Sequence, residues 1–171
     1  VSPHRSKRPW KGQLEDTGIT AVRANYDPTC YLCPGNERYA GSRNPNYTKT
    51  FVFTNDFPAL LEGCPRPEVT HDQLLVREGV SGTCRVICFS PMHDRSLAQM
   101  DVSEILNVIN LWTEQNIELG QRYRWVQIFE NKGATMGSSN PHPHGQIWAQ
   151  NTLPAEALSE DEMQKVYLGK N

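Results

Sequence analysis

The sequence contains no long apolar run, no excess of charge and no apolar leader. No hydrophobic stretch approaches the roughly 20 residues of a membrane-spanning helix, so we expect no membrane-spanning segment. The first residues, VSPHRSKRPW, lack the apolar core of a secretory signal peptide. The formal net charge of −2 offers no general attraction to nucleic acids or membrane surfaces. We therefore expect neither as a partner.

The chain also lacks an initiator methionine and stops at YLGKN without a natural end. We interpret residues 1–171 as a fragment of a longer polypeptide, with an intact short protein as the alternative. This length supports one domain with a hydrophobic core and is marginal for two. We therefore expect a single domain over residues 1–171.

Cysteine is scarce and its count is odd. The five cysteines are Cys30, Cys33, Cys64, Cys84 and Cys88. An odd count with one C-x-x-C pair and no secretory signal favours a reducing compartment and a metal site over a disulfide framework. The sequence therefore predicts a cytoplasmic protein.

Several stretches have the alternation or the β-forming residues of strands. The predicted strands are residues 50–57, 73–79, 83–91, 123–131 and 144–150. The short separation of the second and third, VSG, predicts a hairpin-like connection between them.

The hydrophobic period changes at Asp101, where a long helix over 102–119 is predicted to begin. Asp101 as N-cap and Glu104 three residues later form a capping-box pattern. Apolar residues recur at helical spacing and predict one packing stripe, made of Val102, Ile105, Ile109 and Trp112. The tail over 154–169 is predicted as a second helix. This order indicates an α+β domain with a mostly antiparallel sheet and a long packing helix.

A metal site is suggested by the segment PTCYLCPGN. Cys30 and Cys33 have the two-residue spacing that lets two thiolates reach one tetrahedral ion, and a Pro-Gly turn follows. Two more ligands must come from elsewhere, and His93 and His142 are candidates among few histidines. We hypothesise a zinc site with two cysteines and two histidines; two thiols without a metal are the alternative.

The segment SSNPHPHGQIW places His142, His144 and Gln146 at alternate positions. On a strand these three side chains face one way, and the prolines at 141 and 143 hold the backbone extended. The preceding NKGATMGSSN is a loop of small residues able to turn backbone N–H groups toward an anion. The alternatives are a second metal-binding pair or a loop with two hydrogen-bonded histidines.

An imidazole beside a phosphate cradle suits phosphoryl or nucleotidyl transfer. The imidazole can attack phosphorus, divide one difficult transfer into two steps, and leave again. Its other nitrogen must donate to a fixed acceptor so that the attacking nitrogen carries a lone pair. The segment therefore predicts a nucleophilic histidine.

The segment NKGATMGSSNPHPHGQIWAQ closely resembles the active-site segment of the galactose-1-phosphate uridylyltransferases, the transferase branch of the histidine-triad superfamily. Similar segments follow one another in the family's order over nearly the whole chain: VSPHRSKRPWKG, CYLCPGN, FVFTNDFPAL and CFSPMHDRSL. The resemblance implies a histidine-triad-like domain with a structural zinc knuckle, which forms the N-terminal half of the family's chain.

The resemblance also implies residue roles. His144 would be the nucleophile that becomes uridylylated, with Gln146 donating to a phosphoryl oxygen. The zinc ligands would be Cys30, Cys33, His93 and His142. The uracil and ribose contacts would be Phe53, Asn55 and Asp56, and phosphate or uridine would be reached by Arg5 and Arg8. The phosphate pocket would be lined by Asn131, Gly137, Ser138 and Ser139.

Further expectations concern a second metal and assembly. Glu160 falls where the family places one ligand of a second iron or zinc ion, although a solvated charge in an acidic helix is the alternative. The family is typically dimeric, so a homodimer is implied.

Gln146 stands where hydrolases of the superfamily carry a third histidine. A sugar-1-phosphate leaves and returns through an oxygen with a pKa of about 6, so it needs no general acid or base. Glutamine cannot shuttle protons, yet its amide can hold a phosphoryl oxygen. The expected reaction is ping-pong uridylyl exchange between UDP-glucose and galactose-1-phosphate. The alternatives are an adenylyltransferase resembling ADP-sugar phosphorylases, or a non-catalytic nucleotide-binding module.

Overall fold

The computed structural model describes residues 24–63, 70, 71, 76–133, 136–138 and 140–170. Four strands form an antiparallel sheet in the order β1-β4-β6-β5, and two short strands form a separate antiparallel pair, β2-β3. The strands are β1 (Phe51–Thr54), β2 (Thr70–His71), β3 (Val76–Arg77), β4 (Gly82–Cys88), β5 (Trp125–Phe129) and β6 (His144–Gln150). The helices are α1 (Val102–Gly120) and α2 (Ala155–Leu168). This architecture confirms the predicted α+β class.

The predicted hairpin-like connection between residues 73–79 and 83–91 is wrong. β3 pairs with β2, whereas β4 is the central strand whose two edges bond to β1 and β6. Because both edges of β4 are already paired, no edge remains for β3. Residues 73–75 of that prediction lie outside the described residues.

Helix α1 begins as predicted. The Asp101 carboxylate accepts from the Glu104 backbone N–H at 2.9 Å, and the Glu104 carboxylate accepts from the Asp101 N–H at 2.9 Å. This reciprocal pair satisfies two N–H groups that the first helical turn leaves unbonded. The capping box therefore fixes where the helix starts.

The predicted packing stripe of α1 is only partly correct. Ile105 and Trp112 pack on the core, but Val102 is 83% exposed and Ile109 is 45% exposed. The fully buried residues of the helix are instead Val108 and Leu119, which are 1% exposed. At about 100° per residue, Val108 and Leu119 lie on a different side of the helix from Val102. The face that contacts the core is therefore rotated relative to the predicted stripe. Trp112 packs edge-on against Phe89, which supports the predicted packing role.

The sheet separates two hydrophobic clusters because side chains alternate along its central strands. On one face Ile87 and Ile147 pack with α1. On the other face Val86 and Cys88 pack with the segment around Cys30. This second face carries the candidate site. Within the described ranges, no helix combines the length and apolarity needed to cross a membrane.

Candidate active site and metal centre

The four predicted metal ligands meet at one buried point. Ligand atoms of Cys30, Cys33, His93 and His142 all lie within 4.8 Å of one another. Cys33 Sγ is 3.5 Å from His93 Nδ1 and 3.6 Å from His142 Nδ1. A tetrahedral ion with bonds of about 2.0 Å to nitrogen and 2.3 Å to sulfur separates such atoms by about 3.6 Å. The arrangement can therefore hold a metal ion.

Two asparagine side chains shape the turn that carries the cysteines. Asn36 Nδ2 donates to the carbonyl oxygens of Asp27 at 2.9 Å and Cys30 at 2.8 Å. Asn44, which is 3% exposed, donates to the carbonyls of Tyr31 at 3.0 Å and Cys33 at 3.1 Å. These bonds satisfy buried carbonyls and fix the spacing of the two sulfurs. Sequence reasoning did not identify either asparagine.

Burial shifts the pKa values of two members of the group, Cys33 and His142. It raises the pKa of Cys33 to about 12. Burial, aided by the neighbouring His93, lowers the pKa of His142 to about 3. Both effects favour the neutral forms, because the charged forms lose their hydration. A bound cation would reverse this preference at the thiols, so its binding would release protons.

The imidazole of His144 is oriented by the backbone. His144 is the first residue of β6. Its Nδ1 lies 2.7 Å from the carbonyl oxygen of His142. A carbonyl oxygen can only accept, so Nδ1 carries the proton and donates. The neutral ring then holds its lone pair on Nε2, which is the form required of a nucleophile.

One cavity brings His144 together with the predicted nucleotide contacts. Its lining includes His144, Gln146, Phe53, Asn55 and Asp56. Phe53 lies on β1, and the turn that follows is fixed by two bonds: the Asn55 N–H donates to the Cys84 carbonyl, and Asn55 Oδ1 accepts from the Phe57 N–H, both at 2.9 Å. Because β4 pairs with both β1 and β6, residues of β1 and β6 surround the same cavity.

An aromatic wall and an arginine complete this region. Tyr39 packs against Tyr31 at 4.7 Å and against Phe57 at 5.8 Å between ring centroids, and all three line the cavity. The Arg38 guanidinium lies 4.2 Å from the Phe53 ring centroid. Arg38 Nε also lies 3.3 Å from an oxygen of Asp56, with both side chains largely buried. The sequence analysis did not identify Tyr31, Tyr39 or Arg38, because the residues that they contact become their neighbours only in the folded chain.

The loop before β6 reaches the cavity through Asn140 and Pro141, but not through the described residues among the predicted phosphate contacts. Asn131, Gly137 and Ser138 are not among the described residues that line the cavity. Gly137 has a positive φ of 76°, and Ser138 Oγ donates to the Asn140 carbonyl at 3.2 Å. Arg5, Arg8 and Ser139 lie outside the described residues.

Glu160 is exposed on α2. Among the described residues, it belongs to no group of three or more histidine, cysteine or acidic side chains that could share an ion. The structure therefore does not bring it to the buried Cys-His group.

Comparison with solved structures defines the fold as that of the uridylyltransferases. A protein described as uridylyltransferase superposes with a TM-score of 0.66 at 23% identity, over 88% of this chain and 48% of that one. An Arabidopsis thaliana ADP-glucose phosphorylase with bound ADP-glucose gives 0.61 at 23% identity, over 99% of this chain and 50% of that one. At such identities the likeness shows the fold alone.

Sequence comparison is more specific. Residues 1–154 match the family described as "Galactose-1-phosphate uridyl transferase, N-terminal domain", and the chain belongs to this family. It is 56% identical over 171 residues to a galactose-1-phosphate uridylyltransferase of Haemophilus influenzae, covering 100% of this chain and 49% of the relative. It is 50% identical over 167 residues to that of Rattus norvegicus, covering 98% of this chain and 44% of the relative. The chain thus spans about half the length of these relatives, and the predicted family is confirmed.

Proposed function

We propose that the protein containing this chain exchanges a uridylyl group between UDP-glucose and galactose-1-phosphate through a covalent intermediate on His144. The observation that carries the proposal is the His144 Nδ1 contact with the His142 carbonyl, at 2.7 Å. It provides a nucleophilic Nε2 in a cavity lined by Phe53, Asn55 and Asp56. The names of the family and of the relatives support the uridylyl group and galactose-1-phosphate, and the family resemblance of the motifs implies UDP-glucose as the donor.

In the first step, Nε2 of His144 attacks the α-phosphorus of UDP-glucose. The N–P bond forms while the bond to the oxygen of glucose-1-phosphate breaks, and that oxygen keeps the electron pair. The His144 Nδ1 proton stays on the ring, hydrogen-bonded to the His142 carbonyl, so the charge that develops on the imidazole meets a fixed dipole. No proton transfer is required, because the sugar phosphate is a good leaving group with a pKa of about 6.

In the second step, a phosphate oxygen of galactose-1-phosphate attacks the uridylyl phosphorus and His144 leaves. Gln146 lies two residues further along β6 and lines the same cavity. Its amide donates to a non-bridging oxygen in both steps and gives water no general base. The intermediate is therefore protected until the second sugar phosphate binds.

We propose that the Cys-His group holds zinc in a structural role. Zinc suits two thiolates and two imidazoles in a closed tetrahedral site, and the sulfur–nitrogen separations of 3.5 and 3.6 Å fit such a site. The four residues come from the 30–33 turn, the loop after β4 and the segment before β6. When bound, zinc would cross-link these three segments. Glu160 remains a proposed ligand of a second iron or zinc ion.

The remaining roles are also proposals. Arg5 and Arg8 would contact phosphate or uridine, and the phosphate pocket would include Asn131, Gly137, Ser138 and Ser139. We place the protein in the cytoplasm as a homodimer, with residues 1–171 as its N-terminal domain.

An exchange experiment tests the proposed function. The full-length protein is incubated with UDP-glucose and isotopically labelled glucose-1-phosphate, without galactose-1-phosphate. A covalent intermediate predicts label in UDP-glucose, because the first step is reversible on its own. Net UDP-galactose formation without this exchange would contradict the two-step route, and the same exchange with ADP-glucose instead would contradict the choice of uridine.

A further inference from the structure

Asn140 lies between strand β6, which carries His144, and the metal group, the name we give to Cys30, Cys33, His93 and His142. It is 8% exposed and precedes the Pro-His-Pro-His segment. Its Nδ2 lies 3.4 Å from Cys30 Sγ, and its Oδ1 accepts from the His142 backbone N–H at 2.9 Å. The Asn140 carboxamide therefore contacts two predicted metal ligands. Its nitrogen contacts the sulfur of Cys30, and its oxygen contacts the backbone N–H of His142.

We propose that Asn140 is a positioning residue that couples the metal-bound sulfur of Cys30 to the orientation of His144. The path has three contacts: the amide N–H with Cys30 sulfur, the amide oxygen with the His142 N–H, and the His142 carbonyl with His144 Nδ1 at 2.7 Å. The link to catalysis rests on the proposed function, whereas the contact with Cys30 does not.

The side-chain chemistry explains why an amide occupies this position. A thiolate needs a donor, a backbone N–H needs an acceptor, and the carboxamide supplies both on one rigid plane. Asn140 Oδ1 also lies 3.6 Å from Cys30 Sγ. Outer contacts of this kind orient metal ligands and tune their donor strength.

A simpler role for Asn140 is a local turn. An asparagine oxygen that accepts from the N–H two residues on forms an Asx turn, and aspartate makes the same turn equally well. The turn does not use Nδ2, which here contacts Cys30. Asn140→Asp therefore separates the two roles: it keeps the turn acceptor, removes the N–H···S bond and places an anionic oxygen near the thiolate.

The test uses full-length protein in which cobalt replaces the native metal. Loss of the N–H···S bond raises the energy of the thiolate electrons, so Asn140→Asp is expected to shift the cobalt–thiolate charge-transfer band to longer wavelength. Transfer of the metal to a chelator should become about 10- to 100-fold faster, and kcat should fall by a similar factor. The KM for UDP-glucose is compared in Asn140→Ser, which adds no charge to the cavity that Asn140 lines, and it should stay unchanged there. Asn140→Ser, which also keeps a turn acceptor, should behave like Asn140→Asp and serves if that variant does not fold.

Asn151→Asp is the matched control. Asn151 Oδ1 accepts from the Ser81 N–H at 2.9 Å, beyond the far end of β6 from His144. This variant should leave the cobalt band, metal retention and kcat unchanged.

The outcomes distinguish the coupling from the proposed function. An unchanged cobalt band and unchanged metal retention in both Asn140 variants would reduce the residue to a local turn and overturn the proposal. A shifted band with unchanged kcat would overturn the coupling to His144. A wild-type protein that forms no uridylyl intermediate would contradict the proposed function instead, while the band still reports the Asn140–Cys30 contact.

Discussion

His142 orients His144 through its backbone: the His142 carbonyl oxygen lies 2.7 Å from His144 Nδ1. The His142 ring faces the other way, with Nδ1 3.6 Å from Cys33 Sγ and Nε2 2.9 Å from the Ser90 carbonyl. One residue therefore presents its ring to the metal group and its peptide to the candidate nucleophile. Because both functions belong to a single residue, a shift in the metal group moves the acceptor that sets the protonated nitrogen of His144.

Gln146→His tests why the chain has an amide at this position. We expect the transfer of uridylyl to galactose-1-phosphate to fall about 100-fold, as when one donor to a developing charge is lost. Hydrolysis of UDP-glucose should rise, because an imidazole can activate water. The measurement is the ratio of UDP-galactose to UMP among the products. Gln150→His, at the other end of β6, is the control. An unchanged product ratio in Gln146→His would contradict this explanation.

Tyr47→Phe tests an outer contact of the metal group. The Tyr47 hydroxyl donates to the Leu32 carbonyl at 2.6 Å and lies 3.0 Å from His142 Nε2. Burial raises the pKa of Tyr47, so the hydroxyl stays neutral and can share the Nε2 proton of a metal-bound ring with the Ser90 carbonyl, which lies 2.9 Å from Nε2. We expect metal affinity to fall about 10-fold in competition with a chelator.

The control for this prediction is Tyr123→Phe. Its hydroxyl donates to Glu62 at 3.0 Å, away from the metal group. Equal metal affinities in Tyr47→Phe, Tyr123→Phe and the wild type would show that the Tyr47 hydroxyl does not support His142.

Arg38→Met tests the support of the nucleoside end of the cavity. Arg38 pairs with Asp56 at 3.3 Å and covers the Phe53 ring at 4.2 Å, so its loss leaves a largely buried carboxylate unpaired. We expect the KM for UDP-glucose to rise about 10-fold or more, while kcat changes less than about 3-fold, because Arg38 supports the predicted nucleoside contacts Phe53 and Asp56 and is not itself in the cavity lining. Steady-state kinetics measures both.

Arg122→Met is the matched control for Arg38→Met, since its pair with Glu62 at 3.5 Å is exposed and contributes little. A fall in kcat at an unchanged KM in Arg38→Met would contradict a role in nucleotide binding.

Gly145→Ala tests the packing beneath the catalytic strand. A Cβ at Gly145 would lie 2.7 Å from Phe89 Cζ and 2.9 Å from the Phe129 carbonyl oxygen. We expect the free energy of unfolding to fall by about 1–3 kcal/mol, because the sheet and the Phe89 ring must move apart. Denaturant unfolding measures the change.

Gly120→Ala is its control. At this last residue of α1 the nearest atom to an added Cβ is Asn116 Oδ1 at 4.0 Å, so the helix preference for alanine should stabilise the protein by up to about 1 kcal/mol. A Gly145→Ala protein as stable as the wild type would show that the strand accommodates the methyl group.

Features encoded within a short segment were predicted well. The strand over 144–150 and the capping box of α1 depend on alternation and on residues three apart, and both are found as predicted. The Cys-x-x-Cys spacing and the family's motif order were enough to predict four side chains as one metal-binding group, and the structure brings these four together in an arrangement that could hold an ion.

Features that depend on distant partners were not predicted. Tyr47 and Asn140 contact the metal group across 95 and 110 positions of the chain, to His142 and Cys30 respectively. No local pattern marks such residues. The pairing of β3 failed for a related reason, since the competition for the edges of β4 is decided by the whole sheet. Likewise, the buried face of α1 is set by the sheet beneath it and not by apolar spacing alone.

Intact-protein mass spectrometry can detect the proposed covalent intermediate on His144 itself. Full-length, metal-loaded protein is incubated with UDP-glucose, with His144→Asn as the control. We expect a mass gain of one uridylyl group, located on His144, absent from the variant and removed by galactose-1-phosphate with formation of UDP-galactose. No gain in folded protein, or an equal gain in His144→Asn, would contradict the proposed intermediate.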